Sequence, residues 1–203
     1  MVEGIKDKAQ IKEQIKQALE KNNQKVSPKL QHMLEEAVFK METEMLQPKD
    51  VLGFDASTME QIYTYGYNLF QAGKYREALP VFSFLRQIDI LDTRYPFCIA
   101  ACHHYLKEYN EAAANYIICG YIHYDEPVSR FHLYDCFMKL NQPMSALRAI
   151  LECINMCDQD PKYDVLKEKA KLEYQDLQKH LKVYFKERYG ADAVVEDDKG
   201  DSL

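Results

Sequence analysis

The stretch that decides the fold is Gly73-Lys74-Tyr75-Arg76-Glu77-Ala78, because it returns twice downstream. Lys107-Glu108-Tyr109-Asn110-Glu111-Ala112 is its second form and Asn141-Gln142-Pro143-Met144-Ser145-Ala146 its third. Ala78, Ala112 and Ala146 are spaced by 34 residues, as are Phe82, Tyr116 and Ile150, and Tyr65, Ile99 and Leu133. Each copy is a polar turn followed by a small residue, and each is flanked by apolar residues at helical spacing. A repeat of this length holds two helices and one turn.

Two helices on that period are the signature of the tetratricopeptide (TPR) repeat. The fold class expected is therefore all-α: a helical solenoid of three repeats with N-terminal capping helices and a C-terminal helix. The repeats span 59–92, 93–126 and 127–160 within a region 59–160. Each pair of helices cannot bury its apolar face alone, so neighbouring repeats must stack. Gly66 and Ala100 on the first helix of a repeat, and the three alanines on the second, permit close approach. Tyr134 takes the small position in the third repeat, so packing differs there. The usual first large position holds Ile62, Pro96 and Arg130 in place of Trp. Tyr65, Phe82 and Tyr116 are assigned to packing between helices.

Residues 1–58 precede the repeats. Ile5, Ile11, Ile15, Ala18 and Leu19 form one helical stripe ending at Asn22-Asn23; Ser27 then N-caps a second helix with Pro28 at its first position. Its stripe is Leu30, Leu34, Ala37, Met41 and Met45, and breaks follow at Gln47–Asp50 and Gly53 before Ser57-Thr58 opens the repeats. A further helix covers 161–189. The remainder, 190–203, is acidic, poor in large apolar groups and expected to be disordered.

Composition agrees with a helical solenoid and excludes several functions. Among 203 residues there are only 7 Gly and 7 Pro, sparse for an all-β sandwich, against 15 Tyr, 9 Phe and no Trp. A net charge of −6 argues against direct nucleic-acid binding, which requires clustered cations to neutralise phosphates. No apolar run approaches the roughly 18 residues of a membrane span, and the N-terminus lacks a signal-peptide pattern, so an intracellular protein without membrane insertion is expected. Cys98, Cys102, Cys119, Cys136, Cys153 and Cys157 lie in apolar helical stretches and read as buried thiols. Cys98/Cys102, Cys119/His123 and Cys153/Cys157 share an i, i+4 spacing that could ligate zinc, but a buried stripe explains the same row. No phosphate loop, nucleophile elbow, H-E-x-x-H or C-x-x-C occurs. No enzyme, cofactor or metal is therefore expected.

The first helix of each repeat carries a second apolar face. Its outward positions are Tyr63, Tyr67 and Phe70, then Phe97, Ala101 and His104, then Phe131, Asp135 and Met138. Such a stripe is often plain core. Here Ile62, Tyr65, Leu69, Phe82 and Leu85 already fill the inter-helix positions, so the second face needs another occupant. Cations that could clamp a terminal carboxylate are missing: Tyr63, Tyr67, Cys98, Val128 and His132 stand there. The occupant expected is an extended apolar peptide lying in a concave groove, its side chains against aromatics and its backbone within reach of Tyr hydroxyls.

The run Met59–Ala78 resembles the first repeat of the class II chaperones of bacterial type III secretion, the SycD/LcrH/IpgC type. Val81-Phe82-Ser83-Phe84-Leu85 with Asp89, and Pro127 with Phe131-His132, extend the similarity over about 45–180. The segment from Met1 to about Glu44 departs, being longer than in that family. The resemblance implies a cytoplasmic bacterial chaperone without ATPase activity. It would hold hydrophobic translocators soluble and secretion-competent by gripping a Pro-x-Leu-x-x-Pro-like segment. Carried over, the contacts are Tyr63, Tyr67, Phe70, Phe97, Ala101, His104 and Phe131. The N-terminal helices cap the first repeat and, as often in the family, can also build a homodimer. The competing reading is a TPR scaffold in a cytoplasmic or secretion-associated assembly, binding folded partners.

Overall fold

The computed structural model describes residues 7–122 and 126–189, so the expected tail at 190–203 lies outside the described residues. Those residues form helices joined by short loops, with no strand among them. In chain order they are α1 (Lys8–Lys21), α2 (Pro28–Thr43), α3 (Pro48–Val51), α4 (Ala56–Gln71), α5 (Tyr75–Ile88), α6 (Arg94–Tyr105), α7 (Tyr109–Ile122), α8 (Pro127–Lys139), α9 (Pro143–Cys157) and α10 (Asp164–Tyr189). The fold is all-α and TPR-like. The chain divides into two compact units, Met1–Tyr95 and Pro96–Leu203, the division falling inside α6.

Helix starts follow side-chain chemistry. Asp7 accepts from the Gln10 amide at 2.8 Å while the Gln10 side chain accepts from the Asp7 amide at 3.3 Å, closing a capping box on α1. Ser27 caps α2 through the Leu30 amide. The central region opens at Asp55, not at Ser57-Thr58: its carboxylate accepts from the Thr58 amide at 2.7 Å, so helix begins at Ala56. A carboxylate nearer the N-terminus captures the orphan donor before Ser57 can. The expected break at Gln47–Asp50 contains the single turn of α3, with Pro48 at its first position and Asp50 accepting from the Gln47 amide.

In the first unit α4 packs on α5, and α3 reaches α5 as well. Phe82 and Leu85 are fully buried, with Met59, Ala78 and Ile88. Gly66 is needed for this approach, since a Cβ there would stand 3.0 Å from Val81 Cγ1 and 3.1 Å from the Phe82 ring. The Lys49 ammonium meets the buried Asp89 carboxylate at 2.6 Å, tying α3 to the end of α5.

Two expectations fail in this unit. Tyr65 does not pack between helices; it is 59% exposed. Helical geometry turns it about 100° from Gly66, the residue that faces α5, toward solvent. Ile99 and Leu133, at the same place in the period, are buried in the second unit. The α2 stripe is the other: Leu30, Leu34 and Met45 are exposed, while Glu35 is buried. Gln31 and Glu35 pair across one turn, which lets that carboxylate sit inside.

The second unit has one continuous core, drawn from α6 to α10. Ala100, Ala112 and Ala146 are wholly buried, as are Ile150, Cys102, Cys136 and Cys153. Helix α8 packs on α7 and α9, and α10 covers α9. The position of Tyr134 explains the altered third repeat: its ring is buried and its hydroxyl donates to Glu173 of α10 at 3.0 Å. Arg130 crosses Gly120, where any Cβ would fall 2.6 Å from the guanidinium, and meets Glu152 at 3.3 Å.

Tyr65 and Phe82 lie on adjacent helices but differ entirely in burial. Phe82→Ala should lower unfolding free energy by about 3–5 kcal/mol, and Tyr65→Ala by less than about 1 kcal/mol. Urea denaturation followed by circular dichroism measures both, and comparable losses would contradict the exposure of Tyr65.

Candidate functional site

The predicted contacts of the first unit form a ladder along α4. Tyr63 stacks on Tyr67 with centroids 6.0 Å apart, and Tyr67 on Phe70 at 6.3 Å, both nearly parallel. Their i, i+4 and i, i+3 spacing brings the rings together on one face. The ladder is anchored at both ends. Phe70 meets Tyr75 edge-on at 5.3 Å, and the Arg94 guanidinium lies 4.6 Å over Tyr63. Arg94 is itself fixed by Asp92 at 2.7 Å and Glu60 at 2.9 Å. Tyr67, in the middle, is 41% exposed and its hydroxyl accepts from Gln71 at 2.7 Å. An aromatic surface held this way loses little side-chain entropy when something packs on it.

In the second unit α6 supplies Phe97, Ala101 and His104, all partly exposed, and α8 supplies Phe131, Asp135 and Met138. Two predicted residues meet directly: His104 Nε2 lies 2.7 Å from Asp135 Oδ2, bridging the helices. The contact with His104 holds the Asp135 carboxyl below the usual carboxylate range. Phe97 packs edge-on against Tyr116 and His132, at 5.6 and 5.8 Å. Beyond Asp135, a cleft of about 410 Å³ opens between α8 and α10. Phe131, Met138, Lys139, Lys169 and Glu173 are among its walls. Phe131, expected to face outward, is instead buried in the core of the second unit, with the Lys169 ammonium over its ring at 4.7 Å.

Sequence reasoning passed over His132 and Lys169. His132 entered it as a residue that cannot clamp a carboxylate and as part of the Phe131-His132 match, not as a site residue, yet its ring stacks on Tyr116 at 5.3 Å and 15° and touches Phe97, Phe131 and His104. It is the hub of the aromatic floor. Adjacency to Phe131 on a helix gave no hint, because the direction of a side chain depends on what packs around it. Lys169 lies on a helix outside the repeats, so no repeat position could have flagged it.

Burial pushes the Cys102, Cys136 and Cys153 thiols up to about 12, so they are protonated and poor nucleophiles at neutral pH. All six cysteines are free of disulfides. Among the described residues no three His, Cys, Asp or Glu side chains come together as metal ligands; His123 lies outside them. No described helix is long and apolar enough to cross a membrane.

No family model matches the chain. Low calcium response locus protein H of Yersinia pestis is 31% identical over 84 residues, 41% of this chain and 50% of that protein. The chain thus spans about half the length of the curated relatives it matches. A type III secretion complex from Aeromonas hydrophila has a similar fold, with a TM-score of 0.67, 22% identity, and coverage of 71% of this chain and 96% of that one. PcrH, solved with the chaperone binding region of PopD, is 26% identical with a TM-score of 0.61, covering 63% of this chain and 96% of that one. These likenesses support the resemblance to translocator chaperones read from the sequence.

Burial, and secondarily His104, depress the His132 imidazole to about 4 from 6.5, with Lys169 adding to the shift and Asp135 opposing it. The unfolded chain therefore holds the extra proton between pH 6.5 and 4, so stability is complete above that window and declines through it. The slope approaches about 1.4 kcal/mol per pH unit for one proton. Asp135 acts in the same direction only lower down, below the usual carboxylate range. Chemical denaturation across this range should show the decline in the wild type and a flatter profile in His132→Asn; identical profiles would contradict the burial of a neutral imidazole.

Proposed function

We propose that the chain is a translocator chaperone of type III secretion, of the SycD/LcrH/IpgC type, acting in the bacterial cytoplasm. It binds an extended apolar segment of a hydrophobic translocator and keeps that client soluble; the outward face of α4 in the first unit, and those of α6 and α8 in the second, are the surfaces assigned to such segments. The observation that carries this reading is the pair of aromatic surfaces just described. Their rings are fixed by stacking and by Arg94, His104 and Asp135, and they remain accessible at Tyr67, Phe97 and Met138. The kinship with PcrH, whose structure holds the chaperone binding region of PopD, supports it.

The assigned contacts are Tyr63, Tyr67, Phe70, Phe97, Ala101, His104, Phe131, Asp135 and Met138. Mechanism here is binding alone, with no covalent step. A proline-rich client of the Pro-x-Leu-x-x-Pro kind is already extended and loses little conformational freedom on docking. Each apolar anchor that it buries contributes roughly 1–3 kcal/mol, so a few anchors give micromolar affinity or better. The repeats 59–160 are the binding module, and residues 1–58 cap it. The exposed Leu30, Met33 and Leu34 of α2 offer a surface for a second copy.

Tyr67→Ala and Met138→Ala remove exposed or half-exposed groups and should leave the fold intact. Each should weaken a translocator-derived apolar segment by roughly 1–2 kcal/mol in titration calorimetry, about five- to thirtyfold in Kd. Unchanged affinity in both variants would sink the groove assignment. Co-expression provides a second readout: the wild type should keep a membrane-active translocator in the soluble fraction, whereas a scaffold for folded partners would leave it insoluble.

A further inference from the structure

The cleft between α8 and α10 holds a charge arrangement that apolar binding does not explain. Lys169 and Glu173 stand four residues apart on α10, a spacing at which Lys and Glu ordinarily pair. They do not pair here. Glu173 turns to accept the Tyr134 hydroxyl at 3.0 Å. Asp135, the other carboxylate in the wall, is taken by His104 at 2.7 Å. The Lys169 ammonium is left over the face of Phe131, 4.7 Å from its centroid, and meets no carboxylate among the described residues. A second cation, Lys139, lines the same cleft.

Resting on the peptide-binding reading, we infer that Lys169 is a specificity-determining residue: it covers Phe131 until a client docks and reads a client carboxylate placed beside the apolar anchor that replaces it. The geometry gives the order of exchange. An apolar client side chain can reach the Phe131 face only after the ammonium moves off. A cation leaving a ring face is short of an anionic neighbour, since both wall carboxylates keep their own hydrogen bonds. A client acid next to the anchor supplies that neighbour. The cation–π contact given up and the ion pair gained are of similar, small strength at an exposed position, so the exchange is nearly neutral for an acidic client. For a client lacking the acid it is a net loss, and selection arises from that difference.

The test uses the full chain and three short fluorescein-labelled peptides of the Pro-x-Leu-x-x-Pro pattern, with Asp, Asn or Lys on both sides of the leucine. Fluorescence anisotropy should show the Asp peptide binding the wild type roughly fivefold more tightly than the Asn peptide, the scale of one well-placed exposed ion pair. Lys169→Met, at an exposed position, should bring that ratio to about one while the Asn peptide binds at least as well as before, since its anchor no longer has to displace the ammonium. Lys169→Glu should turn the preference toward the Lys peptide. Equal binding of Asp and Asn peptides to the wild type, or the same ratio in Lys169→Met, overturns the inference and leaves the groove standing. Failure of every peptide to bind the wild type overturns the peptide-binding reading itself. If light scattering shows copies associating, and Lys169→Glu abolishes that while peptide ratios stay at one, the cleft belongs to a second copy and the inference falls.

Discussion

Close approach of paired helices is the constraint on which everything else rests. In the first unit Gly66 sets the distance between α4 and α5, and Phe82 fills the space beneath it. In the second, Ala100, Ala112 and Ala146 play the same part, each wholly buried. A helix that settles onto its partner through one small residue needs only a narrow stripe for the core. The rest of its circumference stays available, and α4 and α6 use that remainder to display aromatic and polar groups. Larger residues at these positions would push the helices apart, and the outward rings would sink into the gap. Overpacking of that kind typically costs about 1–3 kcal/mol, a large fraction of a domain's net stability.

The outward face is rigid for reasons separate from the core. Stacked rings at i, i+3 and i, i+4 order one another on α4, while on α6 and α8 the same result comes from polar wiring. His104 serves two helices at once. It faces Asp135 through Nε2 and approaches the Cys136 sulfur through Nδ1 at 3.9 Å, so its ring plane is set from both sides. His132 then stacks on Tyr116 and completes a floor made of rings from three helices. Keeping this imidazole neutral has an energetic consequence, because a buried cation there would need a carboxylate that His104 already occupies.

The helix pairs were legible because they depend on local periodicity; of the stripe expected to face outward, Tyr67 is exposed but Phe131 is buried. Ala78, Ala112 and Ala146 carry that information in the chain itself. What was not legible depends on neighbours supplied by distant sequence. Tyr65 shares its place in the period with Ile99 and Leu133, yet only the latter two are covered. The stripe on α2 reads as a buried face, but the pairing of Gln31 with Glu35 lets a carboxylate take the inner position. Asp55 displaced the expected start at Ser57-Thr58 because two caps competed and one lay closer to the orphan amides. Lys169 and Glu173 fit an ordinary ion pair by spacing; only Tyr134 of another helix diverts the acid.

That diversion links the third repeat's anomaly to the chemistry of its groove. A small residue in place of Tyr134 would leave Glu173 free to take Lys169, and the cleft would close over a neutral pair. With tyrosine there, the hydroxyl neutralises the hydrogen-bonding demand of Glu173 without neutralising its neighbour. The cation then rests on Phe131 at little energetic advantage, since an exposed cation–π contact is worth only roughly 0.5–1 kcal/mol. A contact this weak is easily exchanged, unlike the stacked floor beside it. The cleft wall and the floor beside it thus combine rings held by their neighbours with a rim charge that can move. On the proposed reading the first would supply affinity and the second discrimination, because an apolar floor alone has no means of rejecting one extended hydrophobic segment in favour of another.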